Sequence, residues 1–229
     1  MDAPDLETIL NLDKGSYVET TKITEPRLQA LREAACSLGA ETGSKTRSLE
    51  IRALYEKESD RLYRLYPFQS VMLEFGVMPP VITVARDSVS QVSDIEVTFA
   101  GVTYTKIADA KFVTVAPTWR DYIYRGLTFN KVEIPPVNFL PEKPEEKAVW
   151  KEEVARCYKK GLEQANAVLE INRADLRRDF KGMLQYKLLA LKGEITAPVV
   201  LTSNSGVERS SGEKRLDVRR YTIKQGSGF

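Results

Sequence analysis

The chain has 229 residues, the length of one generous domain or two small ones. Lys and Arg total 34 against 32 Asp and Glu, so the formal charge is +2 and the balance argues against a dedicated nucleic-acid binder, which carries a basic stripe. Histidine is absent, which excludes Ser-His-Asp and Cys-His catalysis, His-ligated zinc and imidazole general-base chemistry, while two cysteines, Cys36 and Cys157, are too few for a structural zinc site.

Residues 1–23 read as an irregular arm. Thr24-Glu25-Pro26 is a helix start: a hydroxyl cap, an acidic first turn and a proline where its missing donor costs little. Leu28, Leu31, Ala35 and Leu38 follow at helical spacing. Gly39 and Gly43 weaken the pattern by about 1 kcal/mol each relative to Ala, so residues 24–66 read as two helices or one bent near the glycines, stopped by Pro67. Beyond Pro79-Pro80 the pattern turns extended, with a buried strand over 81–85. Ile95, Val97 and Phe99 then alternate into a turn at Ala100-Gly101 and a second strand over 102–107. A further strand is expected over 111–115, and Thr118 is placed to cap a short helix over 119–125.

A connector with Pro135, Pro136, Pro141 and Pro144 is expected to lie extended on the surface. Residues 145–192 carry the strongest helical signal, with Val149, Val154, Tyr158, Leu162, Ala165 and Leu169 on one face. Unbroken, that helix would reach ~72 Å, so a bend near Asn172 or Gly182 is expected, with Gly193 as the stop. Strands over 198–202 and 216–223 flank the turn-rich stretches 203–206 and 210–212, and residues 224–229 read as a flexible tail. The class is α+β: N-terminal helices, a largely antiparallel sheet and one long helix packed on it, as a single domain over 24–223.

The chemical signals are weak. Glu145-Glu146 and Glu152-Glu153 sit among lysines and read as a solvated, ion-paired helix face. Gly43-Ser44-Lys45-Thr46 imitates the end of a phosphate-binding loop, but Ser44 separates the glycine from the lysine and no strand precedes it. Arg173, Arg177, Arg178, Arg219, Arg220 and Lys224 are interleaved with carboxylates and read as solvated surface. Two buried free thiols are the default for Cys36 and Cys157; a disulfide would require an oxidising compartment. Ala34-Ala35-Cys36-Ser37 imitates a lipoprotein cleavage box, but Glu33 precedes it and no apolar run leads in. The acidic start and the missing apolar run leave two placements open, cytosolic or exported with the signal removed. No pattern calls for a cofactor or a metal. The aromatic and proline cluster of Pro79, Pro80, Trp119, Arg120 and Tyr122 is the candidate site. Trp119 is read either as core or as an anchor at a subunit boundary, where Trp, Tyr and Arg concentrate binding energy.

Val71-Met72-Leu73-Glu74, Pro79-Pro80-Val81, Ala116-Pro117-Thr118-Trp119-Arg120-Asp121-Tyr122, Leu140-Pro141, Trp150 and residues 161–190 with Asp-Phe-x-Gly-Met-x-x-Tyr together resemble the DotC family, over about residues 26–223. These are proteins of type IVB secretion and I-type plasmid conjugation. The resemblance implies a periplasmic-side outer-membrane lipoprotein, not an enzyme. It implies partnership with a DotD-like lipoprotein and a DotH-like secretin-type subunit, and further copies of itself in the ring of a core complex. It also implies help in bringing the DotH-like subunit to the outer membrane. The family's lipid-bearing cysteine follows a signal not present in these residues, and Cys36 does not match it. The competing readings are a histidine-free carboxylate hydrolase of envelope polymers, which needs two carboxylates converging in a cleft, and a nucleic-acid adaptor with salt-sensitive binding.

Overall fold

The computed structural model describes residues 6–11, 24–93 and 96–224; the rest of the expected arm and tail lies outside them. The chain divides into two compact units, Met1–Leu62 with Arg120–Arg173, and Tyr63–Trp119 with Ala174–Phe229.

In the first unit, α1 (Leu6–Leu10) places Leu6 and Leu10 against the main apolar cluster, a short helix inside the arm read as irregular. Helix α2 (Glu25–Lys57) runs 33 residues without a break at the glycines, and the expected stretch divides into two helices only after it, at Glu58. Thr24 stands at its N-cap in extended backbone with Pro26 in the first turn, but its hydroxyl makes no capping bond. The glycines that suggested a bend are contact points with the long helix α6 (Pro144–Leu191). A Cβ on Gly39 would lie 2.6 Å from the Val154 carbonyl oxygen, one on Gly43 would strike the Tyr158 carbonyl, and one on Gly161 the Ala40 carbonyl. Gly39 and Gly43 lie one helical turn apart, so both fall on the same face.

The two helices run parallel at a constant sequence offset. Arg27 bonds Glu146 and Arg47 bonds Asn166, each pair 119 residues apart. Between these rungs, Cys36 and Cys157 form a disulfide with a Cα–Cα distance of 5.0 Å. This corrects the free-thiol reading: each helix buries a small-residue face, and their close approach brings the two sulfurs together. Leu31, Ala35, Leu38, Val132, Leu140, Trp150 and Val154 fill the core beside this seam. The proline connector is more than a surface strap, since Val132, Leu140 and Pro141 are buried. A single 3-10 turn (Val137–Phe139) interrupts it, and Arg27 holds it by donating to the Leu140 carbonyl at 2.7 Å and to that of Asn138.

Helix α5 (Trp119–Ile123) is shorter than expected. Asn172 of α6 marks no bend. It is buried and donates from Nδ2 to the carbonyls of Ile123 at 3.1 Å and Arg125 at 2.6 Å, supplying partners to the open end of α5. Helix α6 runs unbroken for 48 residues and ends as expected at Gly193, whose φ is +74°.

The second unit holds α4 (Phe68–Val71) and three antiparallel ladders of two strands each: β1 (Val77–Met78) with β4 (Lys111–Phe112), β2 (Val81–Ser93) with β3 (Glu96–Ala108), and β5 (Val199–Ser210) with β6 (Glu213–Lys224). The short helix α3 (Ser59–Leu65) lies where the chain passes from one unit to the other. The α+β class and the antiparallel pairing are as expected, but among the described residues the strands form three separate ladders. Two turns move. Gly101 lies inside β3, and the β2–β3 pairing extends instead to Ser93 opposite Glu96. Residues 203–206 belong to β5, which turns only at Ser211 and Gly212 (φ +88°). In both places the ladder pairing continues through the small residues, so pairing overrides their turn preference. Ile82, Tyr186 and Leu189 form a buried cluster where α6 lies on β2, and a Cβ on Gly182 would come within 2.5 Å of the Ile82 carbonyl oxygen. Gly182, too, marks a close approach in place of the expected bend.

Candidate interface site

Four of the five cluster residues are buried, and they fall in both units. Pro79 and Pro80 are buried between β1 and β2 in the second unit. Trp119, 0% exposed, packs edge-on against Tyr63 with ring centroids 6.0 Å apart. In the first unit Tyr122 is buried, with the Arg125 guanidinium 5.9 Å from its ring centre. Arg120 is the member with substantial exposed surface.

Arg120 leads to a group that sequence reasoning missed. Its Nε donates to Glu56 at 2.8 Å, a second guanidinium nitrogen donates to the other Glu56 oxygen, and the same nitrogen reaches Ser59 Oγ at 3.0 Å. The Tyr124 hydroxyl donates to Glu56 at 2.8 Å. Nearby in sequence, Arg52 stands 5.0 Å over the Phe129 ring. The fork geometry of arginine matches a carboxylate bidentately and ties the end of α2 to α5. The Arg120 hydrogen bond, then that of Tyr124, lowers the Glu56 carboxyl to about 2. Burial, followed by the hydrogen bond to ionised Glu56, raises the Tyr124 phenol above its ordinary value. Glu56 therefore remains an ionised acceptor at neutral pH and Tyr124 a neutral donor: a fixed electrostatic brace. Its members are 64 and 68 residues apart, and no local pattern marks Glu56 as a partner.

A second brace corrects the reading of Glu146 as solvated surface. The residue is 3% exposed and accepts from Arg27 Nε at 3.1 Å and from the Glu142 backbone at 2.7 Å. Burial alone would raise this carboxyl; the Arg27 hydrogen bond and the backbone donors outweigh it and lower it. Arg173 and Arg178 fit their expected role, Arg173 pairing Glu170 and Arg178 pairing Asp175 and Asp179 on the surface.

None of the five cluster residues is among the exposed large apolar side chains. On α6, Leu184, Leu188 and Leu191 stand at i, i+4 and i+7, the last 75% exposed, and Val199 and Leu201 project from β5. Among the described residues no three Cys, Asp or Glu side chains are grouped to hold a metal ion, and no helix is long and apolar enough to cross a membrane.

Comparison with known families adds one finding: the model of a family described as type IV secretory system, conjugal DNA-protein transfer, matches residues 25–229. A search of curated proteins returned no match.

Proposed function

The chain belongs to this type IV secretory system family of conjugal DNA-protein transfer, and on that premise we propose that it is a DotC-like structural subunit of an outer-membrane core complex. In this role it scaffolds the transfer channel beside a DotD-like lipoprotein and a DotH-like secretin-type subunit. It helps the DotH-like subunit reach the outer membrane, and an N-terminal lipid anchors it on the periplasmic side. Copies of the chain repeat around a ring, where each neighbour needs a heterologous contact. No catalytic residue is assigned.

The observation that carries the reading is the Cys36–Cys157 disulfide inside a chain of this family. Disulfides persist in oxidising compartments such as the periplasm, and this one bridges the core of a unit. The exposed leucines of α6 and the apolar residues of β5 supply surface of the kind that permanent assemblies cover.

The test is deletion of the gene, followed by fractionation and transfer assays. Loss of conjugal transfer, a DotH-like subunit missing from the outer membrane, and rescue of both by the full-length chain are the expected results. A DotH-like subunit still correctly placed in the deletion strain, or a full-length chain recovered wholly in the soluble cytoplasmic fraction, overturns the proposal.

A further inference from the structure

The disulfide joins two stretches of the first unit separated by 121 residues, between which the chain runs through Tyr63–Trp119 of the second unit. The halves of the first unit are therefore covalently joined nearby at one place, the seam where α2 and α6 touch backbone to backbone. The two sulfurs also differ in access: Cys157 is 0% exposed, whereas Cys36 is only half-buried. Thiol–disulfide exchange requires an incoming disulfide to reach one sulfur, after which the second resolves the intermediate, and access decides which sulfur takes which part.

We propose that the bridge is installed by a protein disulfide donor that engages Cys36, and that Cys157 resolves the mixed disulfide. Oxidative thiol exchange is thus the class of reaction that must act on this chain before it enters its assembly. The Cys36 thiolate attacks one sulfur of the donor's disulfide, forming a Cys36–donor bond and releasing the donor's other sulfur as a thiolate. The Cys157 thiolate then attacks Cys36 Sγ, forming the Cys36–Cys157 bond and expelling the donor's second thiolate. Two electrons pass from the chain to the donor, and the two protons lost by the cysteines end on the donor's two thiols.

The order of events follows from the packing. The sulfurs meet only once Gly39, Gly43 and Gly161 have let the helices close, so resolution by Cys157 reports a formed seam. The bond then removes loop-closure freedom from the unfolded chain and retains the seam during assembly. This inference draws on the envelope placement proposed above for the presence of a donor, but the state of the thiols is read independently of location.

The experiment quenches cells that carry the full-length chain and the transfer system with acid, then alkylates free thiols with a heavy maleimide. The wild-type chain is expected to be unmodified without reductant and doubly modified after it. Cys157→Ser is expected to accumulate a reductant-sensitive, higher-mass adduct on Cys36, at least tenfold above that formed by Cys36→Ser. As a check that needs no variant to fold, purified oxidised wild-type chain is incubated with glutathione and digested; the adduct is expected on Cys36. Free thiols in the wild-type chain, equal adducts from the two variants, or glutathione on Cys157 overturn the inference. An oxidised chain recovered away from the outer membrane counts against the placement and in favour of the exchange; a reduced chain at the outer membrane does the reverse.

Discussion

Glu56 and Glu146 are both held below the ordinary carboxylate range, one at the surface and one in the interior, and acid should separate them. Their folded values lie below the unfolded value near 4.5, so the stability they lend is complete above that pH and is lost as pH falls through the folded values, toward 2 for Glu56. Arg120→Ala should raise the Glu56 carboxyl toward the ordinary carboxylate range, with the Tyr124 bond still holding it below, as read by carboxyl NMR titration, and move the acid limb of unfolding upward. Because Glu56 is exposed, 1 M salt should reproduce part of that effect. Arg27→Ala leaves the buried Glu146 carboxylate without its cation. Its cost should be about 2 kcal/mol in denaturant titration, less than for a fully buried pair because the guanidinium is part-exposed. Trp119→Ala removes a side chain with no exposed surface and should lower stability by about 3–5 kcal/mol. Unchanged melting with failed assembly would instead assign Trp119 to a subunit boundary.

Glycine carries the lesson at the scale of elements. In sequence Gly39 and Gly43 read as weaknesses in a helix, because their cost in backbone freedom is local and visible. What they gain, the approach of α6, depends on residues 154–161 and is invisible at that range. Gly43→Ala should therefore destabilise by about 1–3 kcal/mol despite better helix propensity, since the added methyl strikes the Tyr158 carbonyl. Gly101→Ala in β3 meets nothing within 4 Å and should be neutral or slightly stabilising, so thermal melts of the two variants give opposite signs. Asn172 follows the same logic: a polar residue on an apolar face looks like a place to bend, yet its amide serves two carbonyls 49 and 47 residues earlier. Asn172→Ala should cost about 1–3 kcal/mol for stranding buried carbonyls, with faster hydrogen exchange around α5 as the local signature.

The whole molecule depends on contacts between distant stretches of chain. Removing the disulfide with Cys36→Ser and Cys157→Ser together should cost about 4–5 kcal/mol on the chain-entropy account, and reductant should lower the melting of the wild-type chain but not of the double variant. Helix α6, the start of α2 at Thr24-Glu25-Pro26, the stop at Gly193 and the alternating strands were all legible, because periodicity, capping chemistry and breakers act within a few residues. So was kinship with type IV secretion and conjugation, carried by the Pro-Thr-Trp-Arg and Asp-Phe-x-Gly-Met-x-x-Tyr stretches. The sequence by itself therefore determined which faces are apolar, where α2 begins and where α6 stops, and that the chain belongs with type IV secretion and conjugation. Only the tertiary structure decided that α2 runs unbroken along α6, that Cys36 meets Cys157, that Glu146 is interior, and that Glu56 answers Arg120. Each of these joins residues more than 60 apart, and a side-chain pattern states what a face can bury without stating which distant face will cover it.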